Sequence, residues 1–278
     1  MRNKIFVLAL VLMVLMVSVS IVFAITNGQP DGDAHPYVGL LVFDVEGNPA
    51  WRCSGSLIAP NVVLTAGHCT DGTDGARIWF NEMLQDPNDG SFLVPDYPGG
   101  GIVAIEGTPF TNPYYQSPDN PYGGGNGLPA FSYRDVGVVV LDEQVNVGGF
   151  AELPSAGYVD TLRNKADMDY VGYGVQEQIH GGGPPFWTGL RNRMFAPGQL
   201  VSKNFVHAAE FIRLSANPGN NKGGTCFGDS GGPTLAAETD MVLGVNSYVT
   251  NGNCSGVSYS SRVDIPEILD WIYSFLPG

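Results

Sequence analysis

Cys53-Ser54-Gly55-Ser56-Leu57-Ile58-Ala59-Pro60-Asn61-Val62-Val63-Leu64-Thr65-Ala66-Gly67-His68-Cys69 holds two short apolar runs, Ser56–Ile58 and Val62–Thr65, parted by Pro60-Asn61. Apolar runs of this length between turn residues read as strands. The same unit recurs at Tyr37–Phe43, Arg77–Phe80, Ile102–Ile105, Val136–Leu141, Asp169–Tyr173, Phe205–Leu214 and Met241–Val249. The pattern predicts an all-β protein. The C-terminus is the exception, because Ile265, Ile268, Leu269, Ile272 and Leu276 keep helical spacing. Asp264 followed by Glu267 spells a capping box, so a helix there should dock one apolar face on the body. There is no internal repeat of fixed period. The stretch from Asp86 to Tyr133 is rich in Pro, Gly, Asn and Asp and reads largely as surface loop. Within it Asp86, Asn88 and Asp89 match no full calcium ligand set and read as a solvated turn.

Composition points the same way. With 278 residues, 44% hydrophobic and 14% charged, the chain can bury a sizeable core as one large domain or two packed halves. Its 38 Gly and 20 Pro favour short strands joined by turns over a helical bundle. A net charge of −14 excludes a nucleic-acid binder, which needs a basic face. Four Cys without a C-x-x-C pair exclude a zinc ribbon, and no metal or cofactor is called for. Arg2 and Lys4 precede the apolar run Ile5–Val17, and Val22-Phe23-Ala24 offers a small-residue cleavage site, so residues 1–24 read as a signal peptide. The other reading is an uncleaved anchor, since Ile5–Ala24 reaches about the 20 residues a bilayer needs. Export predicts a secreted protein, off the membrane after cleavage, in surroundings where Cys residues pair.

The chemistry gathers around Gly228-Asp229-Ser230-Gly231-Gly232-Pro233, where glycines let the backbone turn sharply and leave a hydroxyl exposed. A serine attacks at neutral pH only when a neighbouring base takes its proton. His35, His68, His180 and His207 are the candidates. Gly228–Gly232 also spells G-x-S-x-G, the elbow of α/β-hydrolases, but those enzymes place their His after the Ser, and none follows position 207. His68 is best placed, at the end of the Val62–Leu64 run, with Cys69 beside it able to tie its loop to Cys53. The other three read as surface or packing histidines. A proton-collecting imidazole needs a carboxylate behind it. Asp135 opens Val136-Gly137-Val138-Val139-Val140-Leu141, a run apolar enough to be buried, and burying a carboxylate without a partner costs several kcal/mol. Asp142, at the far end of that run, is the second choice.

Cys53–Ile58, Thr65–Cys69, Asp135–Val139 and Gly228–Pro233 together resemble the chymotrypsin/trypsin-like serine proteases, with further matches at Tyr173-Gly174, Ser247-Tyr248-Val249 and Trp271-Ile272. They run from about Ile25 to the C-terminal helix in the family's His, Asp, Ser order. The resemblance implies two packed six-stranded antiparallel β-barrels with a C-terminal α-helix over residues 25–278, the halves meeting at roughly 145–165. It implies catalytic His68, Asp135 and Ser230, with the Gly228 and Ser230 backbone N–H groups as oxyanion hole. It also implies disulfides Cys53–Cys69 and Cys226–Cys254, each contributing roughly 3–4 kcal/mol. The expected partners are polypeptide substrates, and the expected state is a monomer.

In the family, a freed N-terminal amine inserts beside the Asp preceding the nucleophile. Ile25-Thr26-Asn27-Gly28 resembles that N-terminus and directly follows Ala24, and Asp229 is the matching acid, so export itself should yield the active form. Gly224 stands where Arg/Lys-cutting members carry an acid, and a buried guanidinium would lack its partner there. Val249 stands where wider pockets have Gly, which favours small apolar residues before the cut. The far wall falls on Gly256 or Ser258 according to the anchor chosen. A glutamate-cutting pocket would want His where Asn246 stands, although Thr225 would suit it. Gly67 replaces the family's usual Ala, and a long His68-to-Asp135 interval puts the Pro/Gly-rich insertion near the cleft. Two other classes compete: a non-catalytic homologue acting as a binding module, and a subtilisin-like hydrolase using Asp31, Asp33 or Asp44 before His68. The strand-rich pattern opposes the second.

Overall fold

The computed structural model describes residues 25, 28–115, 132–179, 186–217, 222–250 and 252–277. The expected signal peptide, His180 and the centre of the Pro/Gly-rich insertion lie outside them. Strand β1 (Gln29–Pro30) precedes a first group of β2 (Val38–Val45), β3 (Asn48–Ala59), β4 (Val62–Thr65), β5 (Gly75–Trp79), β6 (Ile105–Thr111) and β7 (Gly137–Leu141). These six close into an antiparallel barrel in the order β2-β3-β4-β7-β6-β5. Val38, Leu40, Leu41, Leu57, Val63, Leu64, Ile78, Trp79 and Val138, from both faces of its strands, are buried in one core.

The second group is β8 (Asp167–Gly172), the β9–β10 hairpin (Glu177–Ile179, Phe186–Thr188), β11 (Met194–Gln199), β12 (Phe211–Ala216), β13 (Pro233–Ala236), β14 (Val242–Val249) and β15 (Gly256–Arg262). Outside the hairpin they pair as β1-β11-β8-β13-β14-β15-β12. The sheet curls until its ends touch: Leu200 bridges Leu214, and Val201 N donates to Arg213 O. The second barrel is therefore a curled sheet closed by this short seam, with Met168, Tyr170, Met194, Ile212, Leu214 and Leu243 inside.

Two expected strands differ in extent. Only Ile105 of Ile102–Ile105 enters the barrel, because the Ile102, Val103 and Ala104 amides donate to Asp96 Oδ2 at 3.0, 2.6 and 2.9 Å. Phe205–Leu214 contributes its last four residues alone, since residues 205–210 turn back and Phe211 N donates to His207 O. The helices are α1 (Gly67–Thr70), α2 (Tyr158–Thr161) and α3 (Pro266–Tyr273). In α3 Ile268, Leu269 and Ile272 are buried, as the spacing predicts, but the capping box is absent. Ile265 holds the cap position, and the Asp264 carboxylate is taken by Arg262 Nε and Nη2 (2.8 and 2.9 Å) and by Val159 N (2.7 Å). A buried guanidinium two residues away competes better than exposed helix amides. Disulfides join Cys53 to Cys69 and Cys226 to Cys254.

The halves are stitched at Ser54 and Arg193. Ser54 N donates to Ser230 O (2.8 Å), Ser54 Oγ to Gly228 O (2.9 Å), and Tyr173 N to Ser54 Oγ (3.0 Å). Buried Arg193, from β11's flank, pairs with Asp31 at 2.8 Å and donates to Val38 O and Phe80 O of the first barrel.

Candidate active site

Strand β4 ends at Thr65, opposite Gly137 at the start of β7, and the chain turns at once into α1, so Gly67-His68-Cys69 lies beside that strand end with Cys69 fixed to β3 by its disulfide. Gly67 has no Cβ for a reason. One built there would lie 3.0 Å from the Tyr115 ring and 3.1 Å from Val136 N. The residue that departs from the family's usual Ala thus makes room for an aromatic from the insertion.

Asp135 enters the rim from the start of β7 and is buried. Its Oδ1 accepts from His68 N at 2.7 Å and its Oδ2 meets His68 Nδ1 at 2.8 Å. Ser247 Oγ donates to the same Oδ2 at 2.5 Å. Burial would raise the Asp135 pKa, but the charge and hydrogen bond of His68, with the Ser247 hydroxyl, outweigh it and hold the carboxyl below its ordinary value. Burial pulls His68 the other way, and Asp135 again prevails, so the imidazole pKa lies above 6.5. With Nδ1 engaged, Nε2 is the nitrogen left to accept a proton. The His68 side chain is 34% exposed, so substrate can reach it. Asp142, the second-choice carboxylate, is exposed beyond the other end of β7.

Ser230 comes from the second half, in the turn before β13. Gly231, at φ +78°, is pressed against Ser54 and Thr65, where a Cβ would stand 2.5 Å from Ser54 O. Only glycine fits, and this approach brings the Ser230 turn against Thr65-Ala66 at the foot of the His68 helix. Asp229 N donates to Cys226 O, whereas the Gly228 and Ser230 N–H groups have no protein acceptor among the described residues. Those two donors are open for a developing oxyanion.

Beside Ser230 lies a cavity of about 230 Å³ lined by Thr225, Cys226, Phe227, Asn246, Ser247, Tyr248 and Val249. Thr225 and Val249, both expected in the pocket, are among its lining residues. Gly224 is buried but does not line this cavity. Gly256 is exposed opposite Ala216, and Ser258 is buried in the ladder opposite Val249 and Leu214. Asn246 faces a polar knot with Thr234 and Ser260, its side-chain oxygen accepting from Thr234 at 2.9 Å and Ser260 at 3.3 Å. Sequence reasoning missed the Ser247 bond to Asp135. Its signal was a serine in a strand otherwise able to pack apolar residues.

Asp229 is fully buried and accepts from Gly174 N (2.8 Å) and Cys226 N (2.9 Å). Burial pushes its pKa up to about 7, the two amides and nearby Arg52 offsetting only part of the cost. Ile25 is buried in the second core. With residues 1–24 attached, its nitrogen is a peptide nitrogen. Of the other histidines, His35 bonds Asp31 and His207 bonds Tyr133. Asp86 accepts from Asn88, and Asp89 from Ser91, within one exposed turn.

Residues 26–272 match the trypsin family. Serine protease 1 of Drosophila melanogaster is 27% identical over 251 residues, covering 89% of this chain and 84% of that protein. Chymotrypsin-like elastase family member 3B of Macaca mulatta is 28% identical over 272 residues, covering 89% and 91%. Among solved structures, HL collagenase superposes with a TM-score of 0.66 at 18% identity, covering 90% of this chain and 97% of that one.

Proposed function

The chain belongs to the trypsin family of serine proteases, and from that premise we propose that it is a secreted endopeptidase working through Ser230, His68 and Asp135. The observation that carries the reading is the buried Asp135 gripping His68 at both N and Nδ1. That grip fixes the tautomer that offers Nε2 as base. Ser230 Oγ attacks the peptide carbonyl as His68 takes its proton. The Gly228 and Ser230 N–H groups hold the oxyanion, a contribution of about 3–4 kcal/mol where such donors have been removed elsewhere. His68 then hands the proton to the leaving amine, and water hydrolyses the acyl-enzyme by the same route reversed.

The cavity beside Ser230 suits a small apolar side chain before the cut. Val249 narrows it, no charge lines it, and Asn246 is already committed to Thr234 and Ser260. Similarity to an elastase family member supports the same preference. Activation follows from Asp229: cleavage after Ala24 turns the Ile25 nitrogen into an ammonium, and a buried carboxyl short of a cation is its natural partner. Ser230→Ala and His68→Ala are each expected to lower kcat on an Ala- or Val-containing peptide by about 10⁴–10⁶. Near-normal turnover in either would remove the assignment.

A further inference from the structure

Two cavities with no lining residue in common stand near the nucleophile turn, the first through Phe227 and Ser230 and the second through Arg52. One holds the side chain before the cut. The other, of about 280 Å³, has Val42, Trp51, Arg52, Tyr97 and Pro98 in its lining. Arg52 reaches over the nucleophile turn from it: a Cβ on Gly228 would lie 3.4 Å from both the Arg52 guanidinium carbon and its Nη2.

Acids outnumber bases 27 to 13 in this chain, yet the lining of this cavity holds Arg52 and no carboxylate, and the charge of Asp229 reaches Arg52 without an ion pair. Arg77, Arg134, Arg193 and Arg262 all form ion pairs. Among the described residues Arg52, Arg163, Arg191 and Arg213 form none, and of these four Arg52 alone lines this cavity. Arg52 Nη1 donates to Tyr173 O at 3.3 Å and Arg191 Nη1 to Gly189 O at 2.8 Å, both main-chain oxygens. The two cations feel each other: burial first, then Arg191, pushes the Arg52 pKa down to about 10, with Tyr97 and Asp229 offsetting only part of it. Keeping like charges together costs free energy unless an anion visits.

We propose that Arg52, supported by Arg191, recognises an acidic side chain within the first few residues that follow the cut. The proposal rests on the endopeptidase reading. If the residue before the cut fills the Val249 cavity, the segment leaving as amine crosses Gly228 toward the other flank. There the guanidinium meets a Glu or Asp carboxylate, and Trp51 and Tyr97 cover its methylene stem.

The test uses the full mature enzyme and peptides identical except for Glu or Gln at each of the first three positions after the cut. At one position or more, kcat/KM for Glu should exceed that for Gln by roughly tenfold at low salt, the size of a partly screened charged hydrogen bond. The ratio should shrink as salt is raised. Arg52→Gln and Arg191→Gln should each pull it toward one. A merely structural arginine would slow both peptides alike and keep the ratio. A wild-type ratio of one at all three positions, or an unchanged ratio in Arg52→Gln, overturns the proposal. Failure to cleave any peptide overturns the endopeptidase reading instead, and this one with it.

Discussion

A single missing methyl group individualises the site. Gly67 leaves the space into which Tyr115 packs, and Tyr115 is held there through its N–H to Asn112 O at 2.9 Å, with Asn112 N bonded in turn to Val136 O at 3.1 Å. The insertion is thereby keyed to the His68 turn and the Asp135 strand at once. Gly67→Ala should overpack this contact, at a cost of about 1–3 kcal/mol in stability. A shift of His68 should also lower kcat/KM roughly tenfold. Joining it to Tyr115→Ala should recover part of both losses, because the ring atoms are the softer of the two obstacles. Thermal unfolding and kinetics of the two singles and the double measure the coupling, and strictly additive effects would refute it.

At the scale of elements, the sequence was legible where one chemistry dominated. Val62–Thr65 is a strand in both readings, because three buried apolar residues and a β-branched threonine between turns have no competing use. Asp135 was legible because a carboxylate opening a buried run requires a partner. The misses share a cause too, which is that neighbours claimed groups the local pattern assigned elsewhere. Asp264 looked like a cap until Arg262 and the Val159 amide took its oxygens. Ile102–Ala104 looked like a strand until Asp96 took its amides. Strand β15, Gly256–Arg262, carries serines on its buried side and so shows no apolar alternation, although Ser258, Ser260 and Ser261 are buried. Strand β11 contains Pro197 and Gly198, which argue against a strand, yet the Gly198 position is where the Tyr170 ring approaches too closely for any side chain.

For the whole molecule, the site exists only when the halves dock. His68 and Asp135 belong to the first barrel, Ser230 and Ser247 to the second sheet, and Ser54 and Arg193 fasten one to the other. Asp229 lies behind this seam, and the activation proposed for it would tie activity to stability. Unfolded, it ionises near 3.8, whereas folded it keeps its proton until about 7 when no ammonium is present. Folding then takes up a proton between these values, so stability falls as pH rises through that window. A chain with a short polar extension before Ile25 should therefore lose a few kcal/mol in urea unfolding between pH 4 and pH 8. A chain beginning at Ile25 should show a flatter profile. Identical profiles would refute the Ile25–Asp229 pairing.

The central claim is that a serine, an imidazole and a carboxylate act as one unit across this seam. Exposure to a serine-directed phosphonate, followed by peptide mapping, tests it most directly. The account predicts one adduct per molecule, on Ser230, lost in His68→Ala. An unmodified chain, or an adduct on another residue, would contradict it.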